Sequence, residues 1–542
     1  MGDPDVIVVG SGSAGAVAAR RLADDGARVL LLEAGGPDVN PAIHDPGRVH
    51  ELWLSEEDWA FETVPQRHAS DRRLAWPRGR VLGGSSSLNA MIWVRGAPAD
   101  YDTWAYLGAH GWSWDDVRPV FERIERRDPT SDAGIVTITS EYEPDAIHQA
   151  IVAAAQECGV PFNQDYNGAQ QDGISYMQFS IKDGIRQSTT TAYLGDVAEH
   201  PNLNVLVRAH ARRLLFDGTR CVGVEFSHDG KVERRHAGEV IVSAGTIGSP
   251  QLLMLSGVGP ADHLAEHGLT VVADVPGVGA NLHDHLLSPV IFAAEREVGP
   301  PSPGLPACQT HLFARSRPGL AAPDLQPIHF MVPMYEPWME GPENGFTMLG
   351  GMIRPVSRGS IRLSGPSPED PLHIDPNVLA CEADLEALVA AIELVRRIGA
   401  SEALAAWGAR ELYPGPAAAT DDDVRQYARD TAITYHHQVG TCKMGTDEAA
   451  VVDPLLRVRG VQGVRVADAS VMPTVTTGNT NAPSIMIGER VAEFVRLRRR
   501  RTGRRDPSRR RAESRSRACR SRARVSSRRR CARPRPGAPG AA

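Results

Sequence analysis

Residues 5–35, DVIVVGSGSAGAVAARRLADDGARVLLLEAG, constrain the fold more tightly than any other stretch of the chain. An apolar run ends at Val9 and breaks into Gly10, Gly12 and Gly15 at GxGxxG spacing. Apolar positions then recur at helical spacing through Leu22, and VLLLEAG supplies a second apolar run closed by Glu33. Strand, glycine turn, helix and strand make a βαβ unit of the doubly wound α/β class. The unsatisfied N–H groups that open its helix suit a pyrophosphate. Glu33 stands 18 residues past Gly15, where an acid meets a ribose hydroxyl, so the unit is expected to bind a dinucleotide.

The same texture returns later. GEVIVSAGTIGSPQLLMLSGVGP (238–260) reads as strand, small-residue turn and helix; GVRVADASVMP (463–473) reads as a strand, and PSIMIGERVAEFVRLR (483–498) as an amphipathic helix. Between about 300 and 430, proline-rich loops and alternating segments such as GSIRLS (359–364) predict a second domain with an antiparallel sheet, inserted between parts of the nucleotide-binding domain. The expected division is 1–300 mainly cofactor domain, with a piece of the second domain near 135–195. Residues 301–435 are then mainly the second domain, 436–497 return to the first, and 498–542 form a tail.

Charge separates body from tail. Residues 498–542 hold 19 arginines against Asp506 and Glu513, a charge of +17, which leaves −24 on the preceding 497 residues of a chain whose net charge is −7. An acidic body is unsuited to nucleic acid or anionic membrane. The tail is low in complexity and has little to bury, so disorder is expected there. With 56 arginines to three lysines overall, an incidental extension from GC-rich coding accounts for it better than a basic arm for nucleic acid. No run of ~18 apolar residues predicts a membrane span. Seven scattered cysteines without a CxxC pair predict free thiols, a reducing cytoplasm, and no zinc or disulfide framework.

A second glycine-rich stretch, PRGRVLGGSSSLNAMIWVRG (77–96), offers another close approach of backbone donors to a flat ring and a diphosphate. With it the chain resembles the glucose-methanol-choline oxidoreductases, in particular choline-dehydrogenase-like bacterial members. The matching segments are GSGSAG with Glu33, RGRVLGGSSSLNAMIWVRG, SAGTIGSPQLLMLSGVGP, YHHQVGTCKMG and VADASVMPTVTTGNTNAP, in the family's order across nearly all of 5–497. The resemblance implies FAD and oxidation of an alcohol, expected to be primary, to an aldehyde by hydride transfer to the flavin. It also implies a split Rossmann-like FAD-binding domain beside a substrate domain built on a mainly antiparallel sheet. Residue by residue, it places Gly10, Gly12, Gly15 and Glu33 at the ADP half. Gly83, Gly84, Asn89 and Met91 lie along the pyrophosphate and flavin, Ala211 at the adenine, Asp468 and Ala469 at the ribityl chain, and Asn481 at the ring edge. Some members attach FAD through a histidine just before the asparagine matching Asn89; here that position is Leu88, so non-covalent FAD is expected.

YHHQVGTCKMG (435–445) sets His436 beside His437. Neighbouring residues face different ways, so one of the two is expected to point into a given cavity. Removing hydride from an alcohol carbon requires a base at the oxygen, and neutral imidazole is suited to that task. By resemblance, the residue three before Gly440, His437, is the base and His436 a packing residue. From TGNTNAP (477–483), Asn479 is expected to hold the alcohol oxygen, although exchange with Asn481 stays open. The partners expected are a small-molecule alcohol and O2 or another electron acceptor. Tyr335, Glu336, Trp338 and Glu340 in VPMYEPWMEG offer material for a quaternary-ammonium cage, or ordinary loop and core aromatics. Two rivals remain at this stage: a redox-silent cyanohydrin lyase on the same scaffold, and a nucleic-acid adaptor acting through the tail.

Overall fold

The computed structural model describes residues 3–128, 130, 131 and 133–505, together with Gly537 and Gly540. Met1–Ala492 form one compact unit and Glu493–Ala542 a second. The arginine-rich run expected to lack structure lies, beyond Arg505 and apart from those two glycines, outside the described residues; the backbone is helical up to Arg505.

Strand β1 (Val6–Val9), helix α1 (Gly15–Asp24) and strand β2 (Val29–Leu32) form the βαβ unit read from the glycine pattern. VIVV and VLLL are buried at every position, as strands covered on both faces require. β3 (Leu203–Leu206) adds beside β2, β4 (Glu239–Val242) beside β1, and β5 (Val464–Val466) beside β4. The result is a five-stranded, all-parallel sheet in the order β3-β2-β1-β4-β5. Its last strand follows β4 only after more than two hundred residues, so the Rossmann-like layer is split in sequence. Arg465 on β5 donates to Glu239 on β4 at 2.7 Å in a buried ion pair, which ties the late strand to its neighbour. Between β3 and β4 runs an antiparallel meander, Ala209–Asp217, Arg220–His228 and Lys231–His236.

The second sheet has seven strands, all paired antiparallel. Leu286–Ala293 is its hub, pairing with Gly345–Met352, Arg410–Tyr413 and Ile433–Thr434. Ile328–Phe330, Cys308–Phe313 and Gly173–Tyr176 continue it from Gly345–Met352. The hub thus comes from before residue 300, and Pro289 within it obscures the strand, because proline is uncommon in central strands. Alternation along these strands gives the sheet two faces. Leu286, Met348 and Leu312 join a core with Leu388, Ile392 and Val395 of the helix Glu382–Gly399. Leu287, Leu349 and Phe313 turn the other way into a separate apolar cluster. No helix among the described residues is long and apolar enough to cross a membrane.

Several histidines are sealed into this architecture. His148 Nδ1 lies 2.9 Å from Thr310 Oγ1, which in turn lies 3.0 Å from His329 Nδ1. Burial lowers His148 to about 4 and His283, His285, His311 and His436 to about 3, with His329 and His437 also well below the ordinary 6.5. The unfolded chain then binds protons below pH 6.5 that the folded chain refuses, so stability falls as the pH drops. Asp284, raised to about 6 by burial, works in the opposite direction, as do Glu33, Asp38, Asp100 and Asp468, which burial also raises, but the histidines outnumber them. Scanning calorimetry should show a Tm lower by about 10 °C at pH 5 than at pH 6.5; a flat Tm across that interval would contradict neutral burial.

Candidate active site

The chain leaves β1 through Gly10–Ser13 and enters α1 against the same turn. A Cβ on Gly15 would stand 1.9 Å from the Gly10 carbonyl oxygen, so the third glycine permits close packing of helix on strand. Glu33, at the end of β2, accepts from the Ser11 N–H at 2.9 Å, from Ser11 Oγ at 2.6 Å and from the Gly35 N–H at 2.8 Å. Burial pushes its carboxyl up and these donors pull it back down. The second glycine loop meets the first directly. The Gly83 N–H donates to Ser11 Oγ at 3.1 Å, and a Cβ on Gly84, whose φ is 53°, would lie 2.8 Å from the Gly12 Cα.

Both loops border one cavity of about 1210 Å³. That exceeds the ~300–1,000 Å³ of ordinary small-ligand pockets, as a dinucleotide together with a substrate requires. Gly10, Gly12, Glu33, Gly84, Asn89, Ala211, Asp468, Ala469 and Asn481 lie on its wall, so these expected cofactor residues, distant in sequence, are brought together. Gly15, Gly83 and Met91 are not on the wall. The first two act in packing and in the loop-to-loop bond. Met91, at φ 60°, is fully buried in the apolar cluster with Ile92, Leu287 and Tyr435. Asp468 accepts from Ser249 Oγ at 2.6 Å and from the Gly245 N–H at 2.9 Å. It therefore anchors the first turn of α2 (Gly245–Leu255), which also borders the cavity.

The histidine pair departs from expectation. His436 has φ 66°, a left-handed turn in the backbone, and both His436 and His437 reach the cavity wall. The ring of His436 lies 5.1 Å from that of Trp53, and its carbonyl accepts from Arg78 at 2.6 Å. His437 stacks on Tyr435 with centroids 4.6 Å apart. Its Nε2 is 3.1 Å from Asn479 Nδ2 and its Nδ1 is 3.0 Å from His285 Nδ1. Gln326 Nε2 donates to Asn479 Oδ1 at 3.1 Å, so the Asn479 amide presents its NH2 to His437. Asn481 sits apart from this group, accepting from Ser13 Oγ of the glycine turn at 2.7 Å. The backbone N–H of His437 donates to Asp284 at 2.8 Å, and Gln438 Nε2 donates to the same carboxylate at 3.0 Å, joined there by Thr434 Oγ1.

Asp284, His285 and Gln326 carry no motif that marks them in advance. NLHDHLL offers His283 and His285 at strand spacing, a signal visible only after sheet pairing is known. Arg186 was likewise unmarked. It is buried behind the second glycine loop and donates to the carbonyls of Ile43, Ser86 and Asn89 and to Asn89 Oδ1. Burial lowers it to about 9, which still leaves a cation beside the loop where an anionic diphosphate is expected. Among the described residues, no cluster of three histidine, cysteine or acidic side chains could hold a metal ion.

Residues 4–287 and 355–488 match the two family models described as GMC oxidoreductase. The chain belongs to the GMC oxidoreductase family, flavoenzymes that act on CH–OH groups. It is 40% identical over 527 residues to the alcohol dehydrogenase [acceptor] of Pseudomonas putida, covering 91% of this chain and 95% of that protein. It is 39% identical to the mitochondrial choline dehydrogenase of Mus musculus, covering 90% and 89%. Among solved structures, pyridoxine 4-oxidase from Mesorbium loti superposes with a TM-score of 0.86 at 34% identity, covering 90% of this chain and 98% of that one.

The contact between the two glycine loops generates a test. Gly84→Ala adds roughly 1–3 kcal/mol of backbone strain at a positive φ, as well as the clash with Gly12. The purified variant should bind FAD about tenfold more weakly or worse, measured by titrating the cofactor-stripped protein with FAD. Unchanged affinity would show that the loop contact does not support cofactor binding.

Proposed function

We propose that the chain oxidises an alcohol, a primary one, to the aldehyde, with non-covalently held FAD as its cofactor. The observation that carries this reading is the pair Asn479 and His437, backed by the buried His285, on the wall of the same cavity that reaches the glycine turn and Glu33. Cavity size, the paired glycine loops and the cation of Arg186 fit a diphosphate-bridged dinucleotide. Gly10, Gly12 and Glu33 would hold its ADP half with Ala211. Gly84, Asn89, Asp468, Ala469 and Asn481 would hold the remainder. Bound there, FAD supplies the two-electron acceptor that takes hydride from the alcohol carbon.

The protein's part is the proton. Asn479 donates to His437 Nε2, so that nitrogen carries a lone pair and the ring proton resides on Nδ1, where His285 Nδ1 accepts it. Burial first, then the nearby His285, His436 and Arg78, hold His437 well below its ordinary value. It is therefore neutral at physiological pH and able to accept a proton. An alcohol hydroxyl placed between Nε2 and the Asn479 amide gives its proton to Nε2, while the amide donates to the oxygen as negative charge develops there. The imidazolium so formed keeps its Nδ1–H bonded to His285, and the Asp284 carboxylate stands behind its backbone. Dioxygen or another acceptor completes the cycle.

His437→Ala should lower the rate of alcohol-dependent flavin reduction by about 10²–10⁴-fold with FAD still bound, whereas His436→Ala should change it by less than about tenfold. Stopped-flow absorbance of the holoenzyme decides between them, and equal small losses would sink the assignment. Because the base must be neutral and its folded pKa lies below 6.5, the acid limb of kcat/KM should fall below pH 6.5 rather than at it. Leu88, on the wall where covalent members carry a histidine, offers no nucleophile, so acid precipitation should release all flavin into the supernatant. Colour retained in the pellet would show a covalent link from another residue.

A further inference from the structure

Given alcohol oxidation at His437, we infer that the substrate is an uncharged, apolar alcohol, alkyl or aryl, and neither a quaternary-ammonium alcohol nor a polyol. The chamber beside His437 is formed by one apolar cluster. Ile92, Leu287, Cys308 and Leu349 border the cavity and belong to the same buried cluster as Tyr435, with Phe330 and Met334 packed against it. Tyr435 stacks on the His437 ring itself, so this wall adjoins the base directly. Leu287, Cys308, Phe330 and Leu349 come from strands of the antiparallel sheet, with Leu287 and Leu349 on the face that points away from the helix Glu382–Gly399.

Among the described residues, no carboxylate on the cavity wall is directed to this chamber. Glu33 is bonded to Ser11 and Gly35, and Asp468 to Ser249 and Gly245, all in or beside the Rossmann-like layer. Glu62 faces Arg73 at 3.7 Å. Glu369 and Asp370 belong to the loop near Pro371, where Glu369 pairs with Arg212. Asp284 lies behind the His437 backbone, is not on the cavity wall, and is occupied by the His437 N–H, Gln438 and Thr434. The fixed charge that does act on His437 is positive: Arg78 borders the cavity, and its guanidinium donates to the His436 carbonyl at 2.6 Å. Asp284 and Asp58 offset that cation from behind, so a quaternary ammonium in the chamber would lose its hydration and gain no carboxylate of its own on this wall. The four residues of VPMYEPWMEG that offered material for a cage lie elsewhere. Tyr335, Glu336, Trp338 and Glu340 are absent from the wall, Tyr335 and Trp338 pack against Tyr413, and Trp338 is 56% exposed. The thiol of Cys308 is kept neutral, pushed up to about 12 by burial.

The decisive comparison uses the FAD-loaded full chain with choline and its carbon isostere 3,3-dimethylbutan-1-ol, which differ in charge and scarcely in shape. Ethanol, 1-butanol, 1-hexanol, benzyl alcohol and glycerol complete the series, each assayed by anaerobic flavin reduction and by turnover with an artificial electron acceptor. The isostere should exceed choline in kcat/KM by at least about tenfold, and each added methylene in the linear series should raise kcat/KM by about fourfold. In Phe330→Ala, a change at a half-buried wall position, this chain-length gradient should flatten, read as the ratio of kcat/KM for 1-hexanol to that for ethanol. Preference for choline or glycerol, or a gradient unchanged in Phe330→Ala, overturns the substrate assignment and leaves alcohol oxidation standing. Absence of flavin reduction by every alcohol overturns alcohol oxidation itself, and the substrate class with it.

Discussion

Two glycine loops from distant parts of the chain touch backbone to backbone, and the rest of the site is arranged around that contact. Gly84 approaches Gly12 so closely that a side chain at Gly84 would collide with the Gly12 backbone, and Ser11 hydrogen-bonds on one side to Glu33 and on the other to the Gly83 N–H. One loop ends a strand of the parallel sheet. The other leads through Asn89 into the apolar cluster that lines the far chamber. The contact therefore joins the half of the cavity suited to a dinucleotide with the half that carries the histidines. Widening it by one methyl group would alter both.

Around the histidines, structure acts mainly by removing water. In a dry, low-dielectric interior a hydrogen bond is stronger, and an unpaired polar group costs more, than at a surface. His437 is therefore neutral, and its neighbours settle which nitrogen carries the proton. Gln326 orients Asn479, Asn479 donates to Nε2, and His285 accepts from Nδ1. A single ring orientation and tautomer follow from three side chains on three different segments. The same dryness has a cost, because buried neutral histidines tie the fold to pH values above those at which they would charge.

The apolar chamber and the polar line meet at Tyr435, whose ring packs on His437 and whose hydroxyl reaches the Gln326 carbonyl at 3.3 Å. Sequence neighbours thus serve two purposes. Tyr435 belongs to the wall of the proposed substrate chamber, and His437 to the proposed proton path. His436, between them, adopts a left-handed backbone conformation that lets the chain present both rings to the cavity.

What could be read in advance was local. The GxGxxG turn, the apolar runs on either side and Glu33 lie within thirty residues, so their pattern alone specifies strand, turn, helix and acid. The ordered set of motifs indicated the family and singled out His437 and Asn479, which the structure places 3.1 Å apart. Alternating rows from 300 onward announced an antiparallel sheet. They did not reveal its hub, because Leu286–Ala293 contains a proline and belongs by sequence to the preceding region. Asp284, His285, Gln326 and Arg186 were silent for a different reason: each matters through what it touches, at separations of about one hundred residues or more. The placement of Met91 in the core, the approach of both histidines to one wall and the position of every described carboxylate away from the proposed substrate chamber were likewise decided by tertiary packing. Backbone chemistry and hydrophobic period are properties of neighbours in the chain. The tautomer of a buried imidazole and the polarity of a cavity are properties of neighbours in space.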